Sequence, residues 1–354
     1  MKSLSILFLP QTTLIGASSR ARIYQYLENI KNSPFQYKID AGCSVKLDQN
    51  FLKGPSLLQK IHWYISKIYG RLKYLFQLDQ YDCIFIQRES LPYFFPFTEL
   101  LLIKWAKKSI FDFDDAIFYH YQKKNWLQLF MDYHAVERIL KTCNTVIVSN
   151  SYLAAYARRF NQNVHIIPTS INIQNQKKNK AENHPPIIGW MGSNATRQYI
   201  IDLLPILEKL GQSTPFILYI VGTKINSKHL KIKCFDWKKE KEWQYLDSFD
   251  VGIMPLPDTP WTRGKGGYKL LQYMSANVPC VASNVGMNKE IIEHNVNGLL
   301  ASTEEEWLQY LKTLLKNKQK GKLIASNGWN TVNKKYSIQV NLRNWKSVIH
   351  QTCK

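Results

Sequence analysis

The sequence predicts two α/β domains, each a parallel sheet covered by helices on both faces, joined by a polar linker. Three observations carry this expectation. A chain of 354 residues is long enough for about two domains, each with its own core. Short apolar runs alternate with longer amphipathic stretches from end to end, as strands buried in parallel sheets do. Between two series of such runs lies 174–186, a lysine- and asparagine-rich stretch ending in Pro185 and Pro186.

The first series comprises Leu4–Leu9, Cys83–Gln87, Ser109–Phe113, Thr145–Ser149 and Val164–Pro168. The second comprises Ile187–Met191, Phe216–Val221, Asp250–Met254 and Pro279–Ser283. The expected organisation is therefore a first domain over 1–173, a linker over 174–186 and a second domain over 187–336. Both are doubly wound and Rossmann-like, with ligands expected at the carboxyl ends of the strands. In the tail, 337–354, Ser337 can cap a helix running through Ile349 whose Val340, Trp345 and Val348 pack back on the first domain. No fixed-period repeat and no long low-complexity segment interrupts the pattern.

Bulk composition narrows the class. Hydrophobic residues make up 45% and charged residues 21%, a globular balance rather than a disordered one. No apolar run approaches the roughly 18 residues that span a bilayer. The apolar run after Met1 is stopped by Pro10 and Gln11 with no small-residue cleavage site, so it reads as a first strand and not a signal peptide. Cysteines 43, 83, 143, 234, 280 and 353 form no C-x-x-C pair, which fits reduced cytosolic thiols better than a disulfide frame or zinc site. The net charge of +21 implies an anionic partner: nucleic acid, a phospholipid surface or a phosphate-rich substrate.

Candidate chemistry gathers at strand ends. Ile187–Arg197 reads as a strand, the turn Gly192-Ser193-Asn194 and a helix start. Glycine there lets backbone approach a ligand, and a helix N-terminus favours phosphate. A plain strand–helix turn fits equally well. In Asp250–Glu290 a strand ends at Pro255 and a loop carries Arg263, Gly264, Lys265, Gly266 and Gly267 before a helix from Tyr268 to Ser275. Fixed cations, donor amides and a helix dipole there make a diphosphate site. Gly16 and Arg20, after the first strand, either admit a substrate or make the turn. Asp112, Asp114 and Asp115 close the Ser109–Phe113 strand. Carboxylates this close repel, raising the pKa of at least one unless cations compensate. Asp115 also suits a helix cap, and the D-x-D spacing is a metal signature of a fold with a single nucleotide domain, which the two-domain pattern disfavours.

Lys53–Gln77 is helical in pattern, with Leu58, Ile61, Ile65, Ile68, Leu72 and Phe76 on one face. Lys60, Lys67 and Arg71 line a flank beside Trp63 and Tyr74, and no acid occurs between Asp48 and Asp79. Two readings stay open: an interfacial helix with its basic flank at anionic lipid, or an amphipathic core helix.

On these residues the chain resembles the family 4 glycosyltransferases, retaining enzymes of the two-domain GT-B fold. The likeness is most specific in Gly266–Ser283, followed by Gly286 and Glu290, and extends from Ile187 to about Gly298. It is looser at Gly16, Arg20, Asp112–Ala116 and 146–156, and the tail resembles the family's C-terminal helix. The resemblance implies donor binding by Gly192, Ser193, Asn194, Arg197, Arg263, Lys265, Gly266, Gly267, Tyr268 and Gln272. It implies a catalytic position at Asp114, where many members carry histidine, and acceptor contacts at Gly16, Arg20 and Asp115. The family's two donor-block glutamates correspond to Gly264 and Gln272, and its phosphate-loop arginine to Ser193. Arg263 and Lys265, helped by Arg197, are expected to restore the charge. The implied activity moves sugar from a nucleoside diphosphate sugar to a lipid-linked or polysaccharide acceptor in cell-envelope glycan synthesis. It needs no metal, no cofactor and no nucleic acid, and the enzyme sits at the inner, cytoplasmic face of an anionic membrane. The rival readings are an inactive scaffold, a sugar-nucleotide epimerase of the same fold and a basic nucleic-acid-binding protein.

Overall fold

The computed structural model describes residues 3–30, 35–52, 54–92, 94–119, 131–173 and 183–354. They form two compact units. The first holds Met1–Ser170, Gly264–Gly266 and Asn341–Lys354; the second holds Ile171–Arg263 and Gly267–Val340. Positions 174–182 of the expected linker lie outside the described residues.

The first unit is built on a six-stranded parallel sheet: β1 (Leu4–Pro10), β2 (Phe35–Ile39), β3 (Cys83–Gln87), β4 (Ser109–Phe113), β5 (Thr145–Val148) and β6 (Val164–Ile166), in the order β2-β1-β3-β4-β5-β6. The second has β7 (Ile187–Met191), β8 (Ile217–Val221), β9 (Ile232–Phe235), β10 (Val251–Met254), β11 (Cys280–Ser283) and β12 (Leu299–Ala301), ordered β12-β11-β10-β7-β8-β9. In each sheet the chain winds outward both ways from the first strand, so β1 and β7 lie beside the switch points where ligands of such sheets gather. β3, β4, β5 and β7 are buried along their whole length, which is why they read as continuous apolar runs.

The helices that position the site are α1 (Val45–Leu52), α2 (Leu57–Leu72), α3 (Phe97–Trp105), α4 (Arg197–Ser213), α5 (Tyr268–Ser275) and α6 (Ile338–Cys353). α6 is the expected tail helix. Its Val340 amide meets Ser337 Oγ at 3.4 Å. Trp345 enters the first unit's core, stacking on Tyr26 with centroids 5.1 Å apart and on Phe8 at 5.5 Å. Near its end Thr352 meets Thr145 at 2.7 Å.

The basic flank of α2 departs from expectation. Lys67 and Arg71 are not solvated; both are fully buried, and only Lys60 is exposed. Lys67 donates to the carbonyls of Gln11 and Ala41 and lies 3.8 Å from Asp48. Arg71 donates to the carbonyls of Leu9 (3.0 Å) and Pro10 (2.9 Å) and to Ser90 Oγ (2.9 Å). The reason is the ladder's end: where β1 stops, its carbonyls lose their strand partners, and a buried carbonyl needs a donor. Long cationic side chains supply it. Gly70 permits the approach, since a Cβ there would stand 2.3 Å from Gly42 Cα. The apolar stripe points the other way, with Leu58 77% and Ile65 60% exposed.

Candidate active site

In the second unit, β7 delivers Gly192 to the switch point, and its amide donates to the Val221 carbonyl at 2.9 Å. A Cβ on Gly192 would lie 2.4 Å from the Trp190 ring and 2.8 Å from Thr196 Oγ1. Gly222, at φ +96°, packs so closely that its Cβ would lie 2.3 Å from the Gly192 carbonyl oxygen. The turn is thus held bare of side chains on structural grounds. Ser193, Asn194 and Arg197 are exposed around it, and Thr223 Oγ1 donates to Asn194 Oδ1. α5 begins at Gly267, whose φ of +72° favours glycine. Tyr268 is half-buried in its first turn. Lys269 Nζ lies 5.4 Å from the centroid of the Trp190 ring, a cation beside the Gly192 turn that the sequence analysis passed over. Gln272 is buried with Nε2 3.7 Å from Met191 Sδ.

Arg263 ends a short helical turn, Pro260–Arg263, and is exposed. It pairs with Asp258 at 2.6 and 3.0 Å, and this hydrogen bonding lowers the Asp258 pKa. Gly286, at φ +50°, lies against the Arg263 backbone, where a Cβ would be 2.7 Å from its carbonyl oxygen. The Gly264–Gly266 run groups with the first unit. There Asn150 Nδ2 donates to the Gly264 carbonyl at 3.1 Å, and Lys265 Nζ lies 3.8 Å from Asp115 Oδ1.

At the carboxyl edge of the first sheet, arginines answer the three carboxylates. Arg22 forks onto Asp112 through Nε at 3.1 and 3.0 Å and also donates to the Ile167 carbonyl. Burial nevertheless raises the Asp112 pKa, outweighing that arginine. Arg88 donates through Nε and Nη2 to Asp114 Oδ1, at 3.1 and 2.8 Å, and through Nη2 to Asp115. Against burial, which lowers it, these two carboxylates raise the Arg88 pKa. Ser18 Oγ also donates to Asp114, and Gln87 Nε2 donates to Ser18 at 2.8 Å. Gly16 opens the helical run that carries Ser18 and Arg20. A Cβ there would stand 1.9 Å from Thr12 Oγ1, and Arg20 is buried. Asp115 caps no helix among the described residues; a turn follows it.

Arg88, Ser18 and Gln87 were missed by sequence reasoning. Arg88 sits one residue past a predicted strand, at φ 59°, a left-handed conformation uncommon for arginine. Its place at a strand's carboxyl end was the available signal.

Beside it, Glu89 is 3% exposed, and its Oε2 finds no hydrogen-bond partner among the described residues. Burial pushes its pKa up from 4.5 to about 7. Between those values the unfolded chain has lost the proton that the folded chain keeps, so stability falls as pH rises through this window and levels off above it. Glu89→Gln should therefore gain on wild type by on the order of 2 kcal/mol between pH 5 and pH 8. Urea unfolding of both proteins at the two pH values checks this. A constant difference would mean Glu89 is ionised throughout.

Solved structures share this architecture. A sucrose-phosphate synthase from Thermosynechococcus elongatus superposes with TM-score 0.73 at 13% identity, covering 98% of each chain. A glycosyltransferase from Rickettsia africae gives 0.69 at 14% identity, covering 100% of each. The Anabaena protein HepE, in complex with UDP and glucose, gives 0.69 at 14% identity, covering 98% of this chain and 100% of that one. No curated protein sequence matches. Two parallel six-stranded sheets with this order place the chain in the GT-B class. Residues 185–317 match the family model described as glycosyl transferases group 1. Over that segment, which carries the Gly192 turn and the α5 start, the chain is similar to the glycosyl transferases group 1.

Proposed function

We propose that the chain transfers a sugar, with retention, from a uridine diphosphate sugar to a lipid-linked or polysaccharide acceptor at the cytoplasmic face of an anionic membrane. The observation that carries this reading is the second sheet's switch point. A side-chain-free turn at Gly192 has Lys269 beside it, and the Gly267–Tyr268 helix start follows the Arg263 turn. HepE, of the same fold, is described with UDP-glucose, which makes uridine diphosphate the first nucleotide to test. In this scheme the acceptor hydroxyl attacks the front face of the donor sugar. Its proton passes to the departing diphosphate, and the sugar's bond to that diphosphate breaks. The chain's main task is then to stabilise charge on the leaving group with cations and amides. Arg263 and Lys269 are assigned to it, with Ser193, Asn194 and Arg197 around the turn.

Arg263 must leave Asp258 to reach a phosphate. The pair is exposed, so its release costs little. Each charge-assisted contact to diphosphate is worth about 1.5–3 kcal/mol, so Arg263→Ala should weaken UDP binding by roughly ten- to hundredfold. UMP, lacking the outer phosphate, should lose less, and Asp258→Asn should leave UDP affinity at or above wild type. Calorimetry of both nucleotides decides it. Unchanged UDP affinity in Arg263→Ala removes the residue from the site.

A further inference from the structure

We infer that the outward face of α2, continued by the turn after it and by α3, docks on an anionic lipid bilayer. The inference rests on the membrane-bound acceptor proposed above and names the surface that serves it. α2 and α3 pack together in the first unit, and the 3₁₀ turn Leu75–Gln80 packs on α3. Trp63, Lys67, Gly70 and Arg71 face inward. That leaves large apolar side chains in solvent: Tyr69 is 70% exposed, Phe76 92% and, on α3, Trp105 68%. Ile61 and Ile65 extend the face toward the start of α2.

Contiguous aliphatic and aromatic surface of this kind is uncommon on a protein with no apolar partner. Its charge selects the partner. Residues 49–78 contain no acid; after them Asp79, at the end of the turn, is exposed and Asp82 half-buried, while Glu89 and Glu99 are buried. Lys60, Lys104 and Lys107 are exposed. A protein partner of ordinary composition would meet both signs at its rim. A face that is apolar at its centre and predominantly basic at its edge, with Lys60, Lys104 and Lys107 set against the single exposed carboxylate of Asp79, complements hydrocarbon beneath a layer of negative headgroups. The aromatic side chains suit the headgroup depth, where amphipathic rings are favoured.

The test is co-sedimentation of the full chain, without substrate, with vesicles of phosphatidylglycerol and phosphatidylcholine or of phosphatidylcholine alone. Binding is expected to the anionic vesicles and to fall as salt rises. Ile65→Gln with Tyr69→Gln should weaken it at least tenfold, because both side chains leave the hydrocarbon boundary. Changing Lys60, Lys104 and Lys107 to Gln should weaken it about fivefold per charge. Equal binding to neutral vesicles, unchanged binding in the Ile65/Tyr69 variant, or a concentration-dependent dimer that this variant dissolves would each overturn the inference. UDP calorimetry on the same variant separates this from the transferase reading, since neither position lies in the proposed nucleotide site. Lost vesicle binding with intact UDP affinity supports the lipid face, whereas absent UDP binding in wild type would undo the transferase reading alone.

Discussion

Lys67→Met is expected to destabilise the first unit by about 3–5 kcal/mol, the range for removing one partner of a buried, hydrogen-bonded charge. The side chain is fully buried, so no water can take over its contacts. Its loss strands the carbonyls of Gln11 and Ala41, and it removes the cation 3.8 Å from Asp48. Asp48 keeps neutral donors, the Trp63 indole at 2.7 Å among them, but no cation within ion-pair range among the described residues. Burial pulls the Lys67 pKa down, against the opposing pull of Asp48. Adding Asp48→Asn should then recover part of the loss, and a double-mutant cycle reads the coupling. Lys60→Gln, on the exposed first turn of the same helix, should change stability by less than about 0.5 kcal/mol. Denaturant unfolding of wild type, Lys67→Met, Asp48→Asn, the double variant and Lys60→Gln, five proteins in all, checks the set. A Lys67→Met protein within 1 kcal/mol of wild type would contradict the carbonyl-capping role, on the same magnitude scale.

The contrast between Lys60 and Lys67 shows where sequence reasoning reached its limit. Periodicity found α2 and the stripe that runs along it, because both are properties of one helix. It could not say which face turns inward, because the helix's neighbours decide that. Here the unsatisfied ends of β1 and the close passage of Gly42 outbid an apolar stripe for the buried side. Central strands were legible for the opposite reason. β3, β4 and β7 are buried on both faces, so burial is written into every residue. β2, β9 and β12 were overlooked: the first two are edge strands with exposed, lysine-bearing middles, and β12 is only three residues long.

The site divides along the same line. Gly192, Gly267 and the α5 start were readable, since a bare turn at a helix N-terminus is a local pattern. Gln272 was readable as a position but not as an environment: packed beside Met191, it is 3% exposed. The compensation of Asp112, Asp114 and Asp115 was expected only as a condition. Its agents, Arg22 and Arg88, lie 90 and 26 residues away along the chain.

That compensation sets up the largest effect on turnover. Asp114 sits at the end of β4, nearly buried, with Arg88 and Ser18 both donating to its Oδ1. Such a carboxylate is held in one orientation, as a group that must meet a sugar or an acceptor hydroxyl requires. Asp114→Asn preserves the shape but removes the charge that Arg88 balances. Turnover at saturating donor should fall by about a hundredfold or more, the scale of losing a positioned polar group, while UDP affinity stays within about threefold. Arg88 acts through Asp114 and is a positioning residue. Arg88→Lys keeps a cation but loses the planar fork that spans Asp114 and Asp115, so it should retain part of the turnover that Arg88→Ala loses. A purely structural role predicts another outcome: lower unfolding midpoints with unchanged turnover per folded molecule. Measuring kcat, KM and denaturant midpoint on all three variants separates the two. Wild-type turnover in Asp114→Asn would remove the carboxylate from the chemistry and leave the Arg88 fork as scaffolding for the end of the sheet.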